Sequence, residues 1–179
     1  MHTLVLTFIF LLLFTVADAQ VKKPITHESM TMMKRVGAPE ISPDGKYVVF
    51  SLTEQSYNEK EVVIDLWIVP SDGSKKPRRL TFGKGAESGY KWSPDSKHLA
   101  FSAKREEDEV PQIYIINIAE GGEAYRFSNN STGASNPQWS PDGKMILFIN
   151  KVYPGNFTDS ANKKTAEEKK KLKYNAFIV

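Results

Sequence analysis

One five-residue phrase occurs three times in this chain, as Ser42-Pro43-Asp44-Gly45-Lys46, Ser93-Pro94-Asp95-Ser96-Lys97 and Ser140-Pro141-Asp142-Gly143-Lys144. The copies begin 51 and 47 residues apart. A period of this size marks a repeat architecture, because one supersecondary unit cannot bury both its faces and needs like units stacked against it. The phrase itself predicts a type I turn. Serine accepts a local hydrogen bond at the first position, proline presets φ at the second, aspartate suits the third and glycine closes the turn. Each turn is followed by an apolar run ending in an aromatic: Tyr47-Val48-Val49-Phe50, His98-Leu99-Ala100-Phe101 and Met145-Ile146-Leu147-Phe148. Trp92 and Trp139 precede two of the turns, and Ile41 precedes the first. The unit therefore begins as strand, tight turn, strand.

The registration extends beyond the turn. Trp67 to Leu80 and Tyr114 to Phe127 are both 13 residues, and Leu80 to Trp92 and Phe127 to Trp139 are both 12. Two further strands per unit fit this frame, Asp65 to Val69 with Gln112 to Ile116, and Arg78 to Thr81 with Tyr125 to Ser128. Turn signals separate them at Ser71-Asp72-Gly73 and Glu120-Gly121-Gly122. The difference in repeat length falls between Ser51 and Asp65, at a hairpin tip, where an insertion costs little. Four antiparallel strands per roughly 50 residues describe a β-propeller blade. The competing reading is unrelated hairpins in a β-sandwich, against which the matched spacings stand. The expected fold is all-β, a partial propeller of about three four-stranded antiparallel blades. Blade 1 is placed at about 37–82, blade 2 at about 86–128 and a partial blade 3 at about 134–179.

Outside the blades, residues 20–36 form a lead-in. A short helix is expected over 22–36, with Thr26 as N-cap, Glu28 in the first turn and Met30 and Met33 on one face. Gly37-Ala38-Pro39 breaks it. The third unit is interrupted by a tract rich in Ala, Glu and Lys, which predicts a solvated helix over about 160–173. Tyr174 to Val179 then reads as the third strand of blade 3. Since rings usually need four to eight blades, an incomplete ring points to a fragment of a longer protein or an incomplete gene model. A natural short isoform is the remaining alternative.

Residues 1–19 read as a signal peptide. Leu4 to Val16 is a 13-residue apolar run, short for a membrane span, and Ala17-Asp18-Ala19 supplies a small-x-small cleavage pattern. An uncleaved anchor is the rival reading; either one exports the remainder to a secreted, periplasmic or lumenal location. No membrane contact is expected beyond this segment. Asn129, Asn130 and Asn156 each begin an N-glycosylation pattern in a loop.

Composition excludes several chemistries. The chain lacks cysteine, so thiolate metal sites and cysteine nucleophiles are out. Its net charge is +3, and residues 163–173 alone hold 6 Lys and 2 Glu. The basic excess thus lies on one helix and not across a face, which argues against nucleic acid as a partner. No cofactor or metal is expected: the turn aspartates stand singly, without the neighbouring carboxylates that calcium needs. No catalytic residue is assigned. His98 occupies the position of Tyr47 and Met145 and reads as a structural strand residue. Gly85-Ala86-Glu87-Ser88-Gly89 misses the nucleophile-elbow spacing by one residue. The cluster Arg105-Glu106-Glu107-Asp108-Glu109 reads as a solvated hairpin tip.

Taken together, Trp-Ser-Pro-Asp-Gly-Lys, the apolar strand, the Tyr/Trp-Ile-Val strand and Arg-Leu-Thr resemble repeats shared by two groups. One is the TolB-like propeller family. The other is the N-terminal propeller of prolyl oligopeptidase family serine peptidases, in the acylaminoacyl-peptidase and dipeptidyl-peptidase branch. Three features are similar to the second group. They are the lead-in from Pro24 to Pro39, the hairpin from Asp108 to Tyr114, and the insertion Val152-Tyr153-Pro154 with its Lys/Glu helix. The resemblance covers about 24–179. It implies an exported serine exopeptidase acting on peptide substrates, whose C-terminal α/β-hydrolase domain carries the Ser, Asp and His while the propeller gates access. That domain has no counterpart here, so no catalytic residue carries over. The alternative is a non-enzymatic TolB-like propeller serving as a protein-binding module.

Overall fold

The computed structural model describes residues 24–58, 62–83, 85–105 and 107–171. The signal segment at 1–19 and the expected strand at 174–179 lie outside them. Two compact units divide at Thr31. The described part of the first holds helix α1, His27–Thr31. Thr26 caps it as expected, its Oγ1 accepting from the Ser29 amide at 3.1 Å. The helix is shorter than the sequence reading of 22–36. Arg35 and Val36, assigned there to the helix, instead form a strand, because their backbone finds partners in Thr53 and Leu52.

The second unit is built from antiparallel sheets. The first contains β1 (Arg35–Val36), β2 (Glu40–Ile41), β3 (Tyr47–Glu54), β4 (Val63–Pro70) and β5 (Arg78–Arg79). β1 and β2 both pair with β3, so the innermost strand of this blade is broken around Gly37-Ala38-Pro39. The second sheet runs β6 (Ser88–Trp92), β7 (His98–Ala103), β8 (Gln112–Asn117) and β9 (Tyr125–Arg126), in sequence order. The third holds β10 (Ser135–Trp139) and β11 (Ile146–Ile149). Helix α2, Asp159–Lys171, follows.

Repeat spacing and strand register agree residue for residue. Phe50 opposes Trp67 and Phe101 opposes Tyr114; Trp67 opposes Arg79 and Tyr114 opposes Arg126. The inner strands of blades 2 and 3 carry the same bulge, between Ser88 and Lys91 and between Ser135 and Gln138.

Alternation along the strands sorts side chains onto two faces. On blade 2, Leu99, Phe101, Ala103, Tyr114 and Ile116 join Val49, Leu66 and Ile68 of blade 1 in one core. Ala100, Ile113 and Ile115, from the alternate positions, face blade 3 and pack with Trp139, Ile146 and Phe148. Blade 2 is thus covered on both faces. On blade 3, Leu147 and Ile149, equivalents of Ala100 and Ser102, are 74% and 58% exposed.

The turn phrase is wired identically in each blade. Ser42, Ser93 and Ser140 each donate Oγ–H to the Asp two residues on at 2.6 Å. The same Asp Oδ1 accepts the amide of Lys46, Lys97 or Lys144 at 3.0–3.1 Å. Each serine carbonyl accepts the amide three residues on, from Gly45, Ser96 or Gly143. That third residue has φ of 72°, 62° and 69°, the left-handed region that favours glycine. Ser96 tolerates it while its hydroxyl accepts the Asp44 amide of the preceding blade at 3.0 Å. The shared role of the two tryptophans before the turns is also between blades: Trp92 Nε1 donates to Glu40 O at 3.3 Å and Trp139 Nε1 to Lys91 O at 3.1 Å. Glu40 and Lys91 occupy equivalent positions and form an ion pair with each other.

Candidate functional site

The chemistry of this unit gathers at the end opposite the turns, where the loop from β5 to β6 meets the hairpin tip between β7 and β8. Glu87 is 2% exposed there, and its own amide holds the loop to β4 by donating to Ile64 O at 3.1 Å. Thr81 Oγ1 accepts the Leu66 amide at 2.9 Å and donates to Glu87 Oε2. The other oxygen, Oε1, lies 3.6 Å from Arg105 Nη2 and has no hydrogen-bond partner; Arg105 Nε is likewise buried and without one. Burial pushes the Glu87 carboxyl up to about 7, against the Thr81 hydrogen bond and the Arg105 charge. Asp65, paired with Arg79, is also raised by burial, which outweighs the guanidinium.

Arg105 continues the network. Its guanidinium lies over the Tyr114 ring, 4.8 Å from the centroid. Tyr114 donates its hydroxyl to Asp108 Oδ2 at 2.6 Å, and Asp108 Oδ2 also accepts the Arg105 amide at 3.1 Å. Arg126 Nη2 sits 3.2 Å from Asp108 Oδ1. Burial, with the Asp108 carboxylate beside it, pushes the Tyr114 phenol up to about 12. The sequence reading of a fully solvated tip therefore fails at Asp108, which is 5% exposed, because Tyr114, Arg105 and Arg126 enclose it. Glu109 fits that reading better: it is exposed and pairs with Lys170 of α2.

The residues singled out from sequence fall elsewhere. All the turn residues, Ser42-Pro43-Asp44-Gly45, Ser93-Pro94-Asp95 and Ser140-Pro141-Asp142-Gly143, serve the hairpins described above. His98 Nδ1 is 4.0 Å from Asp95 Oδ1, which also accepts from Ser93 Oγ. This is no nucleophile arrangement, since the serine donates to the acid and not to the imidazole. The same Ser–Asp pair recurs in blades with Tyr47 and Met145 in place of His98. Among the glycosylation candidates, Asn129 is exposed, and Asn130 is tied through its backbone to Gln112. Asn156 uses Nδ2, the atom a glycan would join, to donate to Thr165 Oγ1 at 2.8 Å and Ala161 O at 3.2 Å.

Glu87, Asp65 and Arg105 were missed as a set. The signal was available in the repeat: Glu87 stands where the next blade has Ala134, and Asp65 where it has Gln112. Among the described residues, no group of three or more His, Cys, Asp or Glu is placed to hold a metal ion, and no helix is long and apolar enough to cross a membrane.

The model of the TolB beta propeller domain matches residues 16–174. An uncharacterized peptidase, YuxL, of Bacillus subtilis is 33% identical over 143 residues, covering 79% of this chain and 21% of the relative. Dipeptidyl-peptidase 5 of Porphyromonas endodontalis is 28% identical over 124 residues, 69% of this chain and 17% of the relative. This chain thus spans about a fifth of the length of these curated relatives. Among solved structures, the AtxE2 isopeptidase superposes with a TM-score of 0.59 over 82% of this chain and 26% of its own, at 19% identity, which speaks to the fold alone. Matching registers, the blade-to-blade tryptophan bonds and the family model converge: the chain belongs to the TolB β-propeller family, and its relatives include peptidases.

Proposed function

We propose that this chain is propeller from an exported serine exopeptidase, whose blades limit which peptides reach an α/β-hydrolase domain carried by the same polypeptide. The observation that carries this reading is the 33% identity to a Bacillus peptidase across most of the chain. The dipeptidyl-peptidase relative supports it. In this reading the blades do no bond breaking, in keeping with the turn role of Ser93 and Asp95 and the strand position of His98. Serine hydrolysis uses a nucleophile, a base and an oxyanion hole, so neither metal nor cofactor is called for. The exposed face of Leu147 and Ile149 is the seat of a further blade, because the equivalent face of blade 2 is the one that blade 3 covers. Residues 1–19 deliver the protein out of the cytoplasm.

The test is activity-based labelling. Protein captured from its source with an antibody to the blades is treated with a fluorophosphonate, digested and mapped. The expected label is on a serine in a Gly-x-Ser-x-Gly setting outside residues 1–179. A captured polypeptide with no reactive serine refutes the peptidase reading. The second reading, a TolB-like protein-binding module, draws on the family model itself. It predicts that unlabelled outcome together with a stoichiometric protein partner in the capture.

A further inference from the structure

Blades 1 and 2 meet along a groove of about 1250 Å³, lined among others by Phe82, Lys104, Arg105, Asp108, Tyr114 and Arg126. Arg105 is placed between this groove and a buried acid. One side of its guanidinium looks toward Glu87, 3.6 Å away, and its side chain is still 31% exposed. Its guanidinium carbon lies over the Tyr114 ring, 4.8 Å from the centroid. Neither Glu87 Oε1 nor Arg105 Nε has a hydrogen-bond partner, so the pair meets without the close fork-to-fork bonding that would satisfy both groups. The exposed part of the guanidinium, with Arg126 and Lys104 on the same lining, matches a planar carboxylate.

We propose that this groove is a carboxylate-binding site, with Arg105 as the anchor, Arg126 in support, and Glu87 as an internal competitor that sets the affinity. When Glu87 is neutral, Arg105 offers its charge to the groove. When Glu87 ionises, it claims that charge and repels an incoming anion. The groups facing Glu87 are Thr81 from the end of β5, Asp65 of β4 with its Arg79, and Arg105 beyond β7. Asp65 adds to the repulsion. Facing the groove are Lys104, Arg126 and Asp108, with Glu107 and Glu123 on its lining. An anion at Arg105 favours the neutral form of Glu87, so by linkage the affinity falls as pH rises through the Glu87 titration. The site is built from blades 1 and 2 alone and holds whether or not the peptidase reading does.

Calorimetric titration of the full chain tests it, with three probes at pH 5.5 and pH 8.5. Acetyl-Ala-Ala carries a terminal carboxylate, acetyl-Asp-amide a side-chain carboxylate, and acetyl-Ala-Ala-amide none. At least one acid binds saturably at pH 5.5 and about tenfold more weakly at pH 8.5, while the amide does not bind. Whichever acid binds more tightly identifies the source, a peptide terminus or an acidic side chain. Glu87→Gln abolishes the pH dependence, and Arg105→Gln abolishes binding. Should Arg105→Gln not fold, the ¹⁵Nε resonance of Arg105 in the unaltered chain shifts on addition of acid and not of amide. No saturation by either acid, equal binding of the amide, or an unchanged pH ratio in Glu87→Gln overturns the proposal.

Discussion

Replacing Glu87 with glutamine isolates the cost of a buried acid. The native carboxyl titrates near 7, and the ordinary value is 4.5. In between, the folded chain keeps a proton that the unfolded chain has released. Stability therefore falls as pH rises through this window; it is fully present below the unfolded value and lost above the folded one. A difference of about 2.5 units corresponds to roughly 3 kcal/mol at about 1.4 kcal/mol per unit. The Glu87 side chain is enclosed almost completely, so solvent screening takes little from this figure. For a domain of this size that is a shift of about 6–12 °C in Tm. Glutamine keeps an acceptor for Thr81 and carries no charge. Thermal unfolding followed by circular dichroism at pH 5 and pH 8.5 makes the comparison. The variant stays within about 1 kcal/mol of the parent at pH 5, just above the unfolded value, and exceeds it by about that full shift at pH 8.5. Parent and variant losing the same stability between the two pH values would falsify the burial argument. Asp65, raised in the same direction, stays in both proteins, and its repulsion of Glu87 is part of the cost that glutamine removes.

Three further outcomes follow from the blades. Gly89 has φ +60°, and a Cβ there would come within 2.9 Å of Asn136 Oδ1, its equivalent in the next blade; Gly121 has φ +75° with open space around it. Gly121→Ala costs about 1 kcal/mol for the strained backbone, and Gly89→Ala about 1–3 kcal/mol more for the clash, read from urea midpoints. Trp139→Phe removes the indole bond to Lys91 O and costs about 1–2 kcal/mol in the same assay, more than Phe for the half-buried Trp67, whose ring faces away from blade 2. Asp44, Asp95 and Asp142 are held below the ordinary carboxylate value, first by the Ser hydroxyl and then by the Lys amide. Their contribution is present above that value and lost as pH falls through the depressed one, so a triple Asp→Asn variant loses less stability than the parent between pH 4 and pH 2.

What the sequence made legible was whatever repeats. Ser-Pro-Asp-Gly is a local solution, with serine, aspartate and the following amide closing one ring of bonds, so three copies announce three hairpins without reference to the rest of the chain. Strand pairing followed because a fixed spacing of aromatic positions sets a fixed register. Tertiary context decided the remainder. Arg35 and Val36 sit in a segment with helical pattern, yet the free edge of β3 takes them as a strand. Glu87 and Asp108 looked like loop acids because nothing local shows that Thr81, Arg105 and Tyr114 converge on them from separate strands and loops. Glu87 and Asp65 are also positions where one repeat departs from the next, which has Ala134 and Gln112, so the failures of the repeat were better guides to chemistry than its copies.

Hydrogen exchange at the three indole N–H groups tests blade-on-blade stacking most directly. Trp92 and Trp139 each donate to a carbonyl of the preceding blade, whereas Trp67 lies on the outer face of blade 1. In ¹⁵N spectra of the native chain, the Trp92 and Trp139 indole protons are expected to exchange slowly and Trp67 fast. Uniformly fast exchange at all three would contradict the stacked arrangement from which the fold and the site both derive.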